Sequence, residues 1–195
     1  FFVADGDGFH LRWFTPAVEV DLCGHATLAT AHVLFTHLGF KGDALRFRTL
    51  SGELVVRREN ELLAMDFPTR YGKAIEIPEG LAEAIGANPV LVLDSKPMLT
   101  LFDGIEQVAA LSPDFAALGR FCEARGKIGV IATARAPSGL AWDFVSRLFA
   151  PAKGINEDPV TGAAHTVLVP YWASVLGKVD LVARQISRRG GTLWC

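Results

Sequence analysis

The sequence predicts an α+β protein of two strand-rich lobes, each wrapped around one central buried helix. Three observations lead there. Short segments of alternating apolar residues recur between glycine, proline and asparagine turn signals, as expected of sheets. Two longer segments, residues 23–35 and 161–169, consist almost wholly of small and apolar residues, as helices buried on most faces require. A weak internal repeat places Arg12-Trp13-Phe14-Thr15-Pro16 ahead of the first segment and Arg147-Leu148-Phe149-Ala150-Pro151 ahead of the second.

In chain order, Phe1-Phe2-Val3-Ala4, Asp5-Gly6-Asp7-Gly8 and Phe9-His10-Leu11-Arg12-Trp13-Phe14 read as strand, turn and strand. The chain thus opens inside a sheet without an initiator methionine, which predicts further strands ahead of Phe1. The first small-residue helix follows and ends at Gly39. Segments 45–48, 53–57 and 62–67, split by Ser51-Gly52 and Glu59-Asn60, predict an antiparallel meander. Apolar patterning breaks around Gly72 and Pro78, which divides the chain into an N-terminal lobe 1–75 and a C-terminal lobe 76–195. Beyond the break, 81–85 has helical spacing, 90–93 and 98–102 are strand-like, and 106–111 and 113–120 predict short helices. Strands at 127–133 and 140–144 flank the turn Ala136-Pro137-Ser138-Gly139. The second small-residue helix closes at Gly177. Gly190-Gly191 then leads a strand that stops early, so a chain incomplete at both ends is expected, its last strands able to return to the N-terminal lobe.

Composition narrows the function classes. With 19 basic and 21 acidic residues the formal charge is −2, which gives no support to a nucleic-acid partner. Three widely separated cysteines, Cys23, Cys122 and Cys195, form no CxxC pair and argue against a disulfide framework or a zinc site, which fits a reducing cytoplasm. No apolar run reaches the roughly 18 residues of a spanning helix, so no membrane partner is expected. His25 and His32 would lie roughly 10 Å apart on one helix, too far to chelate one ion, and no metal site is expected.

The chemistry gathers at the two helix starts, which predicts an active site between them. A buried helix N-terminus offers unpaired N–H groups and roughly half a positive charge, suited to a carboxylate or a developing enolate. Gly24 and Gly162 would let a ligand approach the backbone closely. Asp158 is either a capping carboxylate or an acid/base group beside the second start. Glu157 either shares its charge or faces solvent. His25 is either structural or a proton shuttle whose neutral form the helix start favours. Cys23 reads as a buried small residue or as a thiolate, and the small-residue reading is preferred because Asp158, not a second cysteine, occupies the matching part of the repeat. Gln185-Ile186-Ser187-Arg188-Arg189-Gly190-Gly191 is either a solvated basic turn or a carboxylate-binding one through Arg188.

The motifs Arg12-Trp13-Phe14-Thr15-Pro16, Glu19-Val20-Asp21-Leu22-Cys23-Gly24-His25-Ala26-Thr27, Ser146-Arg147-Leu148-Phe149-Ala150-Pro151, Asn156-Glu157-Asp158-Pro159-Val160-Thr161-Gly162 and Gln185-Ile186-Ser187-Arg188-Arg189-Gly190-Gly191 stand in order nearly end to end. Together they resemble the phenazine-biosynthesis PhzF-like isomerase/epimerase family. The resemblance implies a diaminopimelate epimerase-like fold, two lobes each a curled, mostly antiparallel sheet around a helix. It also implies cofactor-free proton transfer on a small carboxylic-acid substrate, and a homodimer. His25 and Asp158 match the family's active-site histidine and aspartate, and Gly24 and Gly162 match the glycines at the helix starts. Cys23 matches a catalytic cysteine of related amino-acid epimerases. Cys23, Gly24, Thr161, Gly162, Ala163 and Arg188 are the expected substrate contacts.

Two departures qualify that picture. The family's glutamate in a Ser-Glu-Thr segment would precede Phe1, and Ala163 stands where the family carries a serine. The alternative is a non-catalytic ligand-binding or interaction protein on the same scaffold. A thiol-dependent epimerase using Cys23 is the third reading.

Overall fold

A computed structural model of the chain describes residues 1–14 and 19–195, so Thr15 and Pro16 of the first repeat motif lie outside the described residues. The chain divides into two units, Phe1–Pro68 and Thr69–Cys195, and is an α+β protein. The division falls ahead of the expected boundary at 75, because Lys73–Ile75 forms a strand of the second unit's sheet.

In the first unit, β1 (Phe2–Asp5) and β2 (Gly8–Leu11) form the expected hairpin around Gly6, whose φ of 59° suits glycine. A short β3 (Trp13–Phe14) follows β2 and pairs antiparallel with β4 (Glu19–Val20), which leads to α1 (Gly24–Thr36). The meander is β5 (Ala44–Thr49), β6 (Gly52–Glu59) and β7 (Leu62–Met65), and the sheet runs β1-β2-β5-β6-β7 with β2 and β5 parallel. Period-two alternation turns Leu45 and Phe47 of β5 into the core, where they join Ala31, Leu34 and Phe35 of α1. Contrary to expectation, α1 is not buried on most faces. Gly24, Thr27, Ala31, Leu34 and Phe35 form one buried stripe, whereas His25, His32 and Val33 are exposed. The two imidazoles give the outer face too little apolar area to demand cover.

The second unit begins with β8 (Lys73–Ile75), α2 (Leu81–Ile85), β9 (Leu91–Asp94), β10 (Met98–Leu101), α3 (Ile105–Ala110) and α4 (Phe115–Ala124). It continues with β11 (Val130–Arg135), β12 (Phe144–Ala150), a 3-10 turn (Pro151–Lys153) and β13 (Ile155–Asp158). It closes with α5 (Gly162–Leu176), β14 (Val182–Gln185) and β15 (Gly191–Trp194). The mostly antiparallel sheet runs β15-β14-β12-β11-β10-β9-β8, with β13 also on β12. Its last two strands therefore belong to the second unit, against the expectation that they could return to the first. Strand β12 starts at Phe144, not near 140, because the Ala136 N–H closes the turn on the Asp143 carbonyl.

Helices cover both faces of this sheet. Leu81, Ile85, Val108, Leu118 and Phe121 pack with Val145 and Phe149 on one face, and Ala164, Val167, Leu168 and Trp172 of α5 pack with Phe144 and Leu148 on the other. Pro170 lies inside α5 and has no N–H for the Thr166 carbonyl, which instead accepts from the Arg70 N–H at 2.9 Å. Trp172 donates its indole N–H to the Thr133 hydroxyl at 3.0 Å, which itself donates to the Val145 carbonyl at 2.6 Å. Thr133→Val removes this relay at constant shape and strands a buried indole N–H. A loss of about 1–3 kcal/mol is expected, read as a lower urea midpoint at unchanged slope. No helix among the described residues is long and apolar enough to cross a membrane.

Candidate active site

The two small-residue helices start alike. Cys23 precedes α1 with φ −143° and Thr161 precedes α5 with φ −126°, and neither side chain caps its own helix. Their carbonyls are instead held by a side chain one turn on: the Thr27 hydroxyl donates to Cys23 at 2.8 Å and His165 Nδ1 donates to Thr161 at 2.7 Å. Ahead of each start lies a two-toothed ion pair. Arg12 Nε and Nη2 hold Glu19 at 2.8 and 2.7 Å, and Arg147 Nε and Nη2 hold Glu157 at 2.7 and 3.0 Å. A serine in the following hairpin ties down each loop, with Ser51 Oγ donating to the Asp21 carbonyl at 2.7 Å and Ser187 Oγ donating to the Pro159 carbonyl at 2.6 Å.

These contacts set the register of the repeat. Cys23 corresponds to Thr161, His25 to Ala163 and Val20 to Asp158. That corrects the sequence alignment, which set Asp158 against Cys23. The signal that would have fixed the register was present in Arg48-Thr49-Leu50-Ser51 and Arg184-Gln185-Ile186-Ser187.

In the first unit Cys23 is half-buried and His25 exposed, with Sγ 3.5 Å from Nε2 and 3.8 Å from Nδ1. A Cβ at Gly24 would meet the far end of the Phe67 ring at 2.9 Å, so a larger residue there would displace that ring. Burial pushes the core thiol of Cys122 up to about 11, which leaves it unreactive at neutral pH.

In the second unit Asp158 is half-buried at the end of β13. Its carboxylate accepts the Thr161 hydroxyl at 2.7 Å and takes no N–H of α5 among the described residues, so it is not a helix cap. Gln185, which the sequence offers only as the first residue of the basic-turn motif, is 1 % exposed and donates Nε2–H to the Asp158 carbonyl at 2.7 Å and to the Thr161 hydroxyl at 3.2 Å. Its Oε1 accepts the Thr161 N–H at 2.8 Å. Thr161 thus spends its N–H, hydroxyl and carbonyl within the unit. Glu157, engaged by Arg147, neither faces solvent alone nor lends Asp158 a second carboxylate. Gly162 and Ala163 are half-buried at the helix start. Arg188 is exposed, and with Arg189, Ser187, Pro159 and Glu157 it lines an open groove of about 470 Å³.

His165 lies behind this start, its ring 6.0 Å from that of Phe144. Burial holds its pKa at about 4 against an ordinary 6.5, and the bond to the Thr161 carbonyl opposes that only in part. Between these values the unfolded chain binds a proton that the folded chain refuses. Stability from this group is therefore complete above about pH 6.5 and declines as pH falls toward 4, by on the order of 3 kcal/mol. Urea unfolding of the native protein and His165→Gln at pH 7 and pH 4.5 checks this. The drop in stability between the two pH values is expected to be smaller in the variant.

The family model described as "Phenazine biosynthesis-like protein" matches residues 2–194. An uncharacterized isomerase of Pseudomonas aeruginosa is 52 % identical over 196 residues, which span 100 % of this chain and 72 % of that protein. A crystal structure of a phenazine biosynthesis protein of the PhzF family from Enterococcus faecalis superposes with a TM-score of 0.90 at 42 % identity, covering 100 % of this chain and 72 % of that one. A Pseudomonas aeruginosa protein described as a predicted epimerase shares the fold at TM-score 0.67 and 19 % identity, covering 99 % of this chain and 74 % of that one.

Proposed function

The chain belongs to the phenazine biosynthesis-like protein family, and from that premise we propose that it is a cofactor-independent isomerase moving a proton on a small carboxylic acid, with Asp158 as an acid/base group. The observation that carries the reading is the Asp158 carboxylate, oriented by a buried glutamine and threonine beside the start of α5. A carboxylate left to solvent would need no such support. The relatives named as isomerases support the reaction class.

In this reading Asp158 takes a proton from carbon and returns it elsewhere. The carbanion or enolate is stabilised by N–H groups of Gly162 and Ala163 and the positive end of α5. In the first unit His25 is exposed at the start of α1 with Cys23 Sγ against its ring, and it is assigned as a proton carrier in its own right. Arg188, on the groove of the second unit, is the expected contact for a carboxylate substrate. The homodimer belongs to the same proposal.

The test is incubation in D2O with a panel of small amino and hydroxy carboxylic acids, followed by proton NMR. Loss of a carbon-bound proton signal at catalytic protein concentration is the expected result. Saturable binding of a panel acid without exchange would move the assignment to a ligand-binding protein on this scaffold.

A further inference from the structure

We propose that Gln185, acting through Thr161, is a positioning residue that reserves one oxygen of Asp158, Oδ1, for the proton in transit; this rests on the acid/base reading of Asp158. Hydrogen-bond polarity fixes the orientation of the glutamine amide. The Thr161 N–H can only donate, so the Gln185 atom facing it at 2.8 Å is Oε1. The Asp158 carbonyl can only accept, so the atom facing it at 2.7 Å is Nε2. Two backbone groups thereby fix the amide against a flip. The second hydrogen of Nε2 fills a lone pair of the Thr161 hydroxyl at 3.2 Å, which turns the hydroxyl hydrogen onto Asp158 Oδ2 at 2.7 Å. Oδ2 is occupied, whereas Oδ1 takes no hydrogen bond from the described residues.

The fold supplies an internal control. In the second unit β14 and β13 share one edge of β12 end to end, with Gln185 opposite Ser146 and Asp158 opposite Leu148. The first unit repeats the arrangement with β5 and β4 along β2 and β3. One step on from His10 opposite Arg48 comes Thr49, and Val20 stands opposite Trp13. The first unit thus carries Thr49, Cys23 and Val20 where the second carries Gln185, Thr161 and Asp158. The Arg–Glu pair, the serine tie and the grip on the carbonyl before the helix recur in both units. The glutamine–threonine chain occurs, among the described residues, where there is a carboxylate to orient. Thr49, at the place of Gln185, instead donates its hydroxyl to the Gly52 carbonyl at 2.7 Å.

Thr161→Val removes the hydroxyl at constant shape, Thr161→Ser restores it, and Gln185→Glu keeps the acceptor for the Thr161 N–H while replacing both donors. Crystal structures of all three are expected to show the Asp158 carboxylate turned in Thr161→Val and Gln185→Glu and native in Thr161→Ser. With a panel acid that exchanges, kcat is expected to fall about 10-fold to 100-fold in the first two variants at unchanged KM, and Thr161→Ser to recover most of the loss. An Asp158 carboxylate unmoved in both disrupting variants overturns the proposal, as does native kcat in both while Asp158→Asn is inactive. If Asp158→Asn is itself fully active, the acid/base reading fails instead. The structural arm needs no substrate and is decisive alone if every panel acid is silent.

Discussion

Asp158→Asn is expected to lower the rate of carbon–hydrogen exchange by about 10²-fold to 10⁴-fold while leaving the fold intact. The substitution is nearly isosteric, and its carbonyl oxygen can still accept the Thr161 hydroxyl that now meets Asp158 at 2.7 Å. What it loses is the capacity to accept and return a proton. Binding of a carboxylate substrate should survive or tighten, because a negative charge beside the helix start has gone. The effect therefore belongs in kcat, and a rise in KM alone would point to a contact with substrate. Thermal unfolding within a few degrees of the native protein would exclude a folding defect.

The second large effect concerns stability and involves Glu157, the chain neighbour of Asp158. Arg147→Ala is expected to destabilise the protein by on the order of 3 kcal/mol. Arg147 is 13 % exposed and Glu157 20 %, and the arginine also donates Nη1 to the Val108, Ala109 and Leu111 carbonyls at 3.1, 3.2 and 2.8 Å. Its removal leaves a largely buried carboxylate without its partner and the end of α3 without donors. The first unit offers the comparison. Arg12 is 49 % exposed in the equivalent pair, and Arg12→Ala is expected to leave the urea midpoint within experimental scatter. Equal losses in the two variants would show that burial does not decide the value of this repeated pair.

The repeat was legible because Arg-x-Phe-x-Pro survives in both halves, as were the two helices, whose bounds are set by Gly24 and by the glycines beyond their ends. Its register was not. Alignment by chemistry drew Asp158 onto Cys23, whereas the ladder opposes Asp158 to Leu148 and makes Val20 its counterpart. Strand β13 was missed because Asn156, Glu157 and Asp158 have poor strand propensity, and pairing along β12 overrides it. Lys73–Ile75 does not read as a strand because a short edge strand beside Gly72 shows no periodicity. The exposed face of α1 was hidden by its small residues, which fit buried and solvated settings alike. Gln185 stands in the basic-turn motif, and its buried role was also legible. Alternation along Val182-Ala183-Arg184-Gln185 puts it on the face of fully buried Ala183, and a glutamine there must find partners.

Whether Asp158 carries the proton is read from single-turnover transfer of deuterium from D2O to the carbon of whichever panel acid the native protein exchanges, run beside Asp158→Asn at saturating acid. Rapid incorporation by the native protein and a rate at least about 10²-fold lower in the variant is the predicted result. Equal incorporation by the two proteins would contradict the account and place the acid/base group elsewhere in the chain.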